Sequence, residues 1–224
     1  MSNVRPFFSR SSWLMAVFAW AALSLPLLSP NALAAVTEGK EFKQISPQTT
    51  EVPEGKIEVI EFFSYLCSHC AHFNPLVETW KKKLPDDVVF YKIPVGWGKD
   101  QWKAMARAYY ALTMMGEEER LSNEVFDALH KERINLTDKK TFLDWAEKKG
   151  VNRQKLIDVY DSFAVDSKVM QSDKKVETYK VSSVPHFFVN GRYEINLEAA
   201  GSPSQVFDVL DEVIALARKE AKKK

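Results

Sequence analysis

The apolar positions of this chain change period twice. Residues 57–63 read Ile-Glu-Val-Ile-Glu-Phe-Phe, a dense run of β-branched and aromatic side chains, which predicts a buried strand. Next the apolar positions fall at helical spacing, Cys70, Phe73, Leu76, Val77 and Trp80, which predicts a helix beginning near Cys67. Leu84-Pro85-Asp86-Asp87 ends it and turns the chain into a second apolar strand, 88–95. From about Asp100 to Lys180 the period stays helical. One helix carries Trp102, Met105, Ala106, Tyr109 and Leu112 and stops at Gly116; a second carries Leu121, Val125, Phe126 and Leu129. A third starts at Thr137, a fourth at Asn152, and a fifth carries Val165, Val169, Val176 and Tyr179. These stripes read as core. The strand pattern returns in Phe187-Phe188-Val189 and in 192–195, joined by Asn190-Gly191, a strong two-residue hairpin signal. Ser202 and Pro203 predict the N-cap and first residue of a last helix whose buried face is Val206, Phe207, Leu210, Val213 and Ile214.

Strand–helix–strand is a right-handed crossover unit. The predicted order is therefore β-α-β, a helical stretch, then α-β-β-α. This is an α/β chain with a thioredoxin-like fold and an inserted all-helical domain. The expected boundaries are 35–99 and 181–224 for the two parts of the thioredoxin-like domain and 100–180 for the insertion, with Ile57 opening the first core strand.

The first 34 residues are set apart. Arg5 and Arg10 precede an apolar run, Trp13 to Leu28, broken only by Ser24 and Pro26, and Ala32-Leu33-Ala34 supplies a small-x-small site. That order describes a cleaved secretory signal peptide, with the cut before Ala35. The run is short for a membrane span of about 20 residues. Export brings an oxidising compartment. The formal net charge of +1 falls to −1 once the two signal arginines are gone, leaving 29 basic against 30 acidic residues. That balance argues against nucleic acid as a partner. The lysines between 219 and 224 read as a solvated helix end.

Two cysteines are present, in Cys67-Ser68-His69-Cys70. As a passive staple the pair closes too short a loop to constrain the unfolded chain much. As a zinc site it lacks a second pair, and His69, His72, His130 and His186 show no zinc-finger spacing. Redox chemistry accounts for the placement. At the start of a helix the first-turn N–H groups are unsatisfied and carry partial positive charge, which stabilises a thiolate at Cys67. A protonated His69 adds a cation. The expectation is a Cys67 pKa well below the free-thiol value of about 8.5, with Cys67 attacking and the more shielded Cys70 resolving. The CxxC needs a thioredoxin-like context to carry this meaning.

Two segments, Glu61-Phe62-Phe63-Ser64-Tyr65-Leu66-Cys67-Ser68-His69-Cys70 and Val184-Pro185-His186-Phe187-Phe188-Val189-Asn190-Gly191, lie in this order about a helical stretch. On them the chain resembles the DsbA family of thiol:disulfide interchange proteins, over essentially everything after the signal. The resemblance implies a monomeric periplasmic oxidant of unfolded exported proteins with free cysteines. It implies no cofactor beyond the Cys67–Cys70 disulfide, and a membrane partner, DsbB, that re-oxidises the chain and passes electrons to quinone. It makes His69 the pairing histidine, Pro185 the cis-proline facing the disulfide, and Val184 the residue before it. Glu61 and Lys92 match a buried acid–base pair that assists proton movement near the second cysteine. Both fall inside apolar strands, where a lone charge needs a partner. Ser68 stands where the family usually has proline, which leaves the potential open. His186 is unusual directly after the cis-proline; it reads as a partly exposed strand residue, or as a neighbour of the dithiol. His72 and His130 read as surface helix residues.

A disulfide isomerase or reductase of the same compartment is the alternative within the enzyme class. An isomerase with an N-terminal dimerisation domain finds no room between Ala35 and Ile57. A peptide-binding chaperone module without turnover is the alternative outside it, and it has no need of two thiols at a helix start.

Overall fold

In the computed structural model, which describes residues 36–221, five strands form one mixed sheet. They are β1 (Phe42–Gln44), β2 (Ile57–Phe63), β3 (Val88–Pro94), β4 (His186–Val189) and β5 (Tyr193–Ile195), in the spatial order β1-β5-β4-β2-β3. The expected signal segment, 1–34, its expected cleavage site and the last three lysines lie outside the described residues. Strands β2 and β3 are parallel, with Glu61 opposite Lys92 in the register. The other pairs are antiparallel. Helix α1 (Ser68–Lys81) makes the crossover between β2 and β3, as the parallel pairing requires.

Five helices stand between β3 and β4: α2 (Asp100–Met114), α3 (Glu118–His130), α4 (Lys139–Lys148), α5 (Arg153–Tyr160) and α6 (Phe163–Thr178). Three capping side chains, Asp138, Asn152 and Ser162, accept from the backbone N–H three residues on and start α4, α5 and α6. Two further helices follow β5, the one-turn α7 (Leu197–Ala200) and the long α8 (Gln205–Ala221).

Strand β2 is buried along its whole length, because both faces are covered. Ile57 and Val59 pack with Val77 and Trp80 of α1 and Leu210 and Val213 of α8. Ile60 and Phe62 point the other way, against Phe188, Val176 and Tyr179. A strand covered on both faces reads as a continuous apolar run rather than an alternation. The helical insertion has its own core, Leu112, Val125, Phe126, Phe142 and Leu156 among others, and Phe63, Tyr65 and Cys70 belong to it. Thus the seam between sheet and insertion passes under the second cysteine.

Several local details differ from the sequence reading, among them the start of α4, which Asp138 caps where Thr137 was expected to open it. The sheet gains an edge strand, β1, before Ile57. Three residues, Phe-Lys-Gln, are too few to show a period. The turn α7 is likewise too short to leave a signal. The last helix begins at Gln205 rather than Pro203. Ser202 still caps it: the Gln205 N–H donates to Ser202 Oγ at 3.4 Å and the Ser202 N–H donates to Gln205 Oε1 at 2.8 Å, a reciprocal capping box. The hairpin signal is realised directly. Asn190 and Gly191 both have positive φ, 52° and 61°, as a type I′ turn demands.

Candidate active site

Cys67 is the N-cap of α1, with extended backbone (φ −89°, ψ 119°), and its Sγ accepts from the Cys70 N–H at 3.5 Å. A sulfur replaces the usual capping oxygen, so the N–H groups that open the helix are aimed at the reactive atom. The approach to the cap is fixed on both sides. The Cys67 N–H donates to Ser64 O at 3.1 Å and the Leu66 N–H to Ser64 Oγ at 3.2 Å. The Tyr65 hydroxyl donates to Glu118 Oε1 at 3.2 Å. His130 Nε2 lies 2.8 Å from the Tyr65 carbonyl; a carbonyl can only accept, so this nitrogen carries the proton. His130 is therefore not the surface residue expected. It is half-buried, because the end of α3 packs beneath the loop that delivers Cys67. His72 is exposed.

The two thiols are free and unlike. Cys67 is partly exposed and Cys70 fully buried. The Cys67 pKa is lowered from 9.0 to about 6, chiefly by a hydrogen bond from the Cys70 thiol. Burial opposes this; the backbone N–H groups of Cys70 and His69 and then the His69 charge add to it. His69, expected to add a cation, does lower the pKa but is exposed and acts least among these causes. Burial, the bond to Cys67 and the charges of Glu61 and Cys67 push the Cys70 thiol far above the ordinary range.

Opposite the dithiol the Val184–Pro185 bond is cis. The Cys67 thiol donates to the Val184 carbonyl at 3.3 Å. Beside it opens a cavity of about 580 Å³ whose lining includes Phe42, His69, Phe73, Val184, Pro185 and His186. His186 is half-buried there, stacked on Phe188 and 3.1 Å from Glu194 Oε1. Burial lowers its pKa, with Glu194 opposing.

Glu61 and Lys92 are both buried, and they are register partners on one face of the sheet. They are not hydrogen-bonded to each other. Lys92 Nζ donates instead to Asn74 Oδ1 at 2.6 Å and to Glu78 Oε1 at 2.9 Å, both on α1. The lysine stem is long enough to reach past its register partner to the helix. Glu61 Oε2 has no hydrogen-bond partner among the described residues. Burial raises the Glu61 pKa to about 7, and the nearby Lys92 only partly offsets it. Asn74 and Glu78 are absent from the sequence reading. Their signal was spacing: Cys70, Asn74 and Glu78 follow at i, i+4 and i+8 and share a helix face. Polar groups on a buried face need partners.

Disulfide exchange needs one sulfur that can attack and leave as a thiolate and a second within its reach; the start of α1 supplies both, and the class of protein this defines is the thiol–disulfide oxidoreductases. Comparison with known proteins narrows the class: the chain belongs to the DsbA family. Residues 79–215 match the DSBA-like thioredoxin domain. That match begins within α1, past the cysteines, and relatives extend it over the dithiol. The chain is 37% identical over 204 residues to the thiol:disulfide interchange protein DsbA of Pseudomonas syringae pv. tomato, covering 91% of this chain and 95% of that protein. It is 36% identical over 203 residues to the protein of the same name from Bordetella parapertussis, covering 86% and 96%. The crystal structure of Pseudomonas aeruginosa DsbA superposes with a TM-score of 0.79 at 36% identity, covering 84% of this chain and 97% of that one.

Proposed function

We propose that this oxidoreductase works as a periplasmic oxidant, giving its Cys67–Cys70 disulfide to unfolded exported proteins. The observation that carries this reading is the unequal pair of thiols: partly exposed Cys67 caps the N-terminus of α1 and accepts from the Cys70 N–H at 3.5 Å, while Cys70 is fully buried. A substrate thiolate attacks the partly exposed Cys67 sulfur. The Cys67–Cys70 bond breaks, and Cys70 leaves with the electron pair and takes up a proton. A second substrate thiolate then attacks the substrate sulfur of the mixed disulfide, and Cys67 leaves as a thiolate. The substrate is oxidised by two electrons and the chain is reduced. A thiolate that is stable at neutral pH is a good leaving group. Re-oxidation falls to a DsbB-like membrane quinone reductase.

His69 and the opening N–H groups of α1 support the Cys67 thiolate. Val184 and Pro185 hold an extended substrate segment beside the sulfur by backbone hydrogen bonding, as in strand addition. The adjacent cavity supplies room for its side chains. Glu61, in the field of Lys92, exchanges the Cys70 proton. The chain acts as a monomer with its own disulfide as the redox group.

The test is the redox equilibrium of the purified chain with glutathione at pH 7. A potential above the thioredoxin value of about −270 mV is expected. A potential at or below it would return the reductase reading.

A further inference from the structure

Lys92 and Glu61 lie opposite each other across β2 and β3, yet the lysine is turned away to α1. There its Nζ is shared between Asn74 Oδ1 at 2.6 Å and Glu78 Oε1 at 2.9 Å, with the lysine side chain 4% exposed and the glutamate 10%. The second Glu78 oxygen is held by Lys81 at 2.9 Å, and Lys81 reaches the exposed Glu119 at 3.4 Å. Asn74 is fixed in turn, its Nδ2 donating to Asn123 Oδ1 at 2.8 Å. Lys92 is thus anchored by an ion pair that runs out to the surface, while Glu61 Oε2 is left without a hydrogen bond among the described residues.

We propose that Glu78 is a positioning residue for disulfide exchange: by holding Lys92 in a buried ion pair it keeps the lysine off Glu61 and so sets the proton occupancy of Glu61, the acid–base partner of Cys70. This rests on the reading of Glu61 as the group that exchanges the Cys70 proton. The charged and titratable groups facing Glu61 are Lys92 from β3, Glu78 and Cys70 from α1, Cys67 at its N-cap, Glu118 from α3 and Tyr109 from α2. Lys92 is the lone cation among these. Glu78 acts on Glu61 twice, in one direction. Its own charge disfavours a second carboxylate nearby, and its bond to Lys92 withholds the cation that would stabilise one. Removing the Glu78 charge reverses both effects, and in this buried setting charges are weakly screened.

The step affected is closure of the Cys67–Cys70 disulfide. In re-oxidation Cys70 attacks the Cys67 sulfur of a mixed disulfide. The Cys67–Cys70 bond forms, the bond to the outer sulfur breaks, and the outer thiolate leaves with the electron pair. The Cys70 proton passes to the Glu61 carboxylate. In the forward direction Cys70 is the leaving group and Glu61 returns the proton.

Stopped-flow reaction of the reduced chain with oxidised glutathione isolates this step as the phase whose rate does not depend on glutathione concentration. In the unaltered chain that rate should rise with pH through a midpoint near 7. Glu78→Gln should move the midpoint down by about one pH unit, and Asn74→Asp, which adds an anion at the other Lys92 contact, should move it up. Glu78→Asp should keep it near 7. An unmoved midpoint in Glu78→Gln, with the pH step abolished in Glu61→Gln, overturns the role of Glu78 and leaves that of Glu61. A pH step that survives in Glu61→Gln overturns both. If Glu78→Gln does not fold, an unmoved midpoint in Asn74→Asp overturns the proposal.

Discussion

At Cys67, deprotonation exchanges one set of contacts for another. The S–H gives up the Val184 carbonyl at 3.3 Å, and the thiolate gains from the Cys70 N–H at 3.5 Å and from the Cys70 thiol. Hydrogen bonds to an ionised acceptor are about twice as strong as neutral ones, so the balance favours the anion. The exposed His69 adds a charge that water screens. An expected consequence is an unequal response to two substitutions. Thiolate ultraviolet absorbance against pH should give a midpoint near 6 for the reduced chain. Cys70→Ala should raise that midpoint more than His69→Ala does. A larger rise in His69→Ala would make the imidazolium, and not the neighbouring thiol, the main support. The position of the cysteines was legible in the sequence because strand and helix periods meet there. The ranking of their neighbours was not, since it depends on which donors point at the sulfur and how much water reaches them.

At the scale of elements, the site is held by short connections. The Asn190-Gly191 hairpin sets the β4–β5 pairing and hence where His186 and Pro185 stand. Gly191 has φ 61°, and a Cβ there would lie 2.5 Å from the Gln48 carbonyl oxygen; Gly55 has φ 83° with open space around it. Both substitutions to alanine carry the positive-φ cost of about 1–2 kcal/mol. Gly191→Ala adds a backbone clash that a turn cannot easily relieve. Chemical denaturation should show Gly191→Ala as the more damaging by at least about 1 kcal/mol; equal losses would remove the Gln48 contact as a cause. This hairpin could be read from two residues, because Asn-Gly has a local mechanism. Strand β1 could not. It is held by pairing with β5, more than 140 residues away in the chain, and local pattern carries no trace of that. The Lys92–Glu78 ion pair escaped for the same reason. A register partner such as Glu61 follows from strand pairing, but a side chain's choice of a third element depends on packing.

For the whole molecule, the Cys67 thiolate links protonation, redox state and stability. The folded pKa is depressed, so the stabilisation of the reduced form is complete above the free-thiol value of about 8.5 and is lost as pH falls through about 6. At pH 7 it is partial, at most about 1.4 kcal/mol, or about 30 mV of potential, and less because solvent screens this partly exposed sulfur. The disulfide form has no thiolate and gains nothing from it. Closure of the short Cys67–Cys70 loop favours the oxidised form by about 2 kcal/mol, but that term does not vary with pH. The pH dependence therefore isolates the thiolate. The most direct measurement is denaturant unfolding of the oxidised and the reduced chain at a series of pH values from 5 to 8. The stability of the reduced form relative to the oxidised form should rise across that range, by about 1–2 kcal/mol after screening, with most of the rise above pH 6. A difference that stays flat with pH, or that moves toward the oxidised form, would contradict a thiolate-driven oxidant.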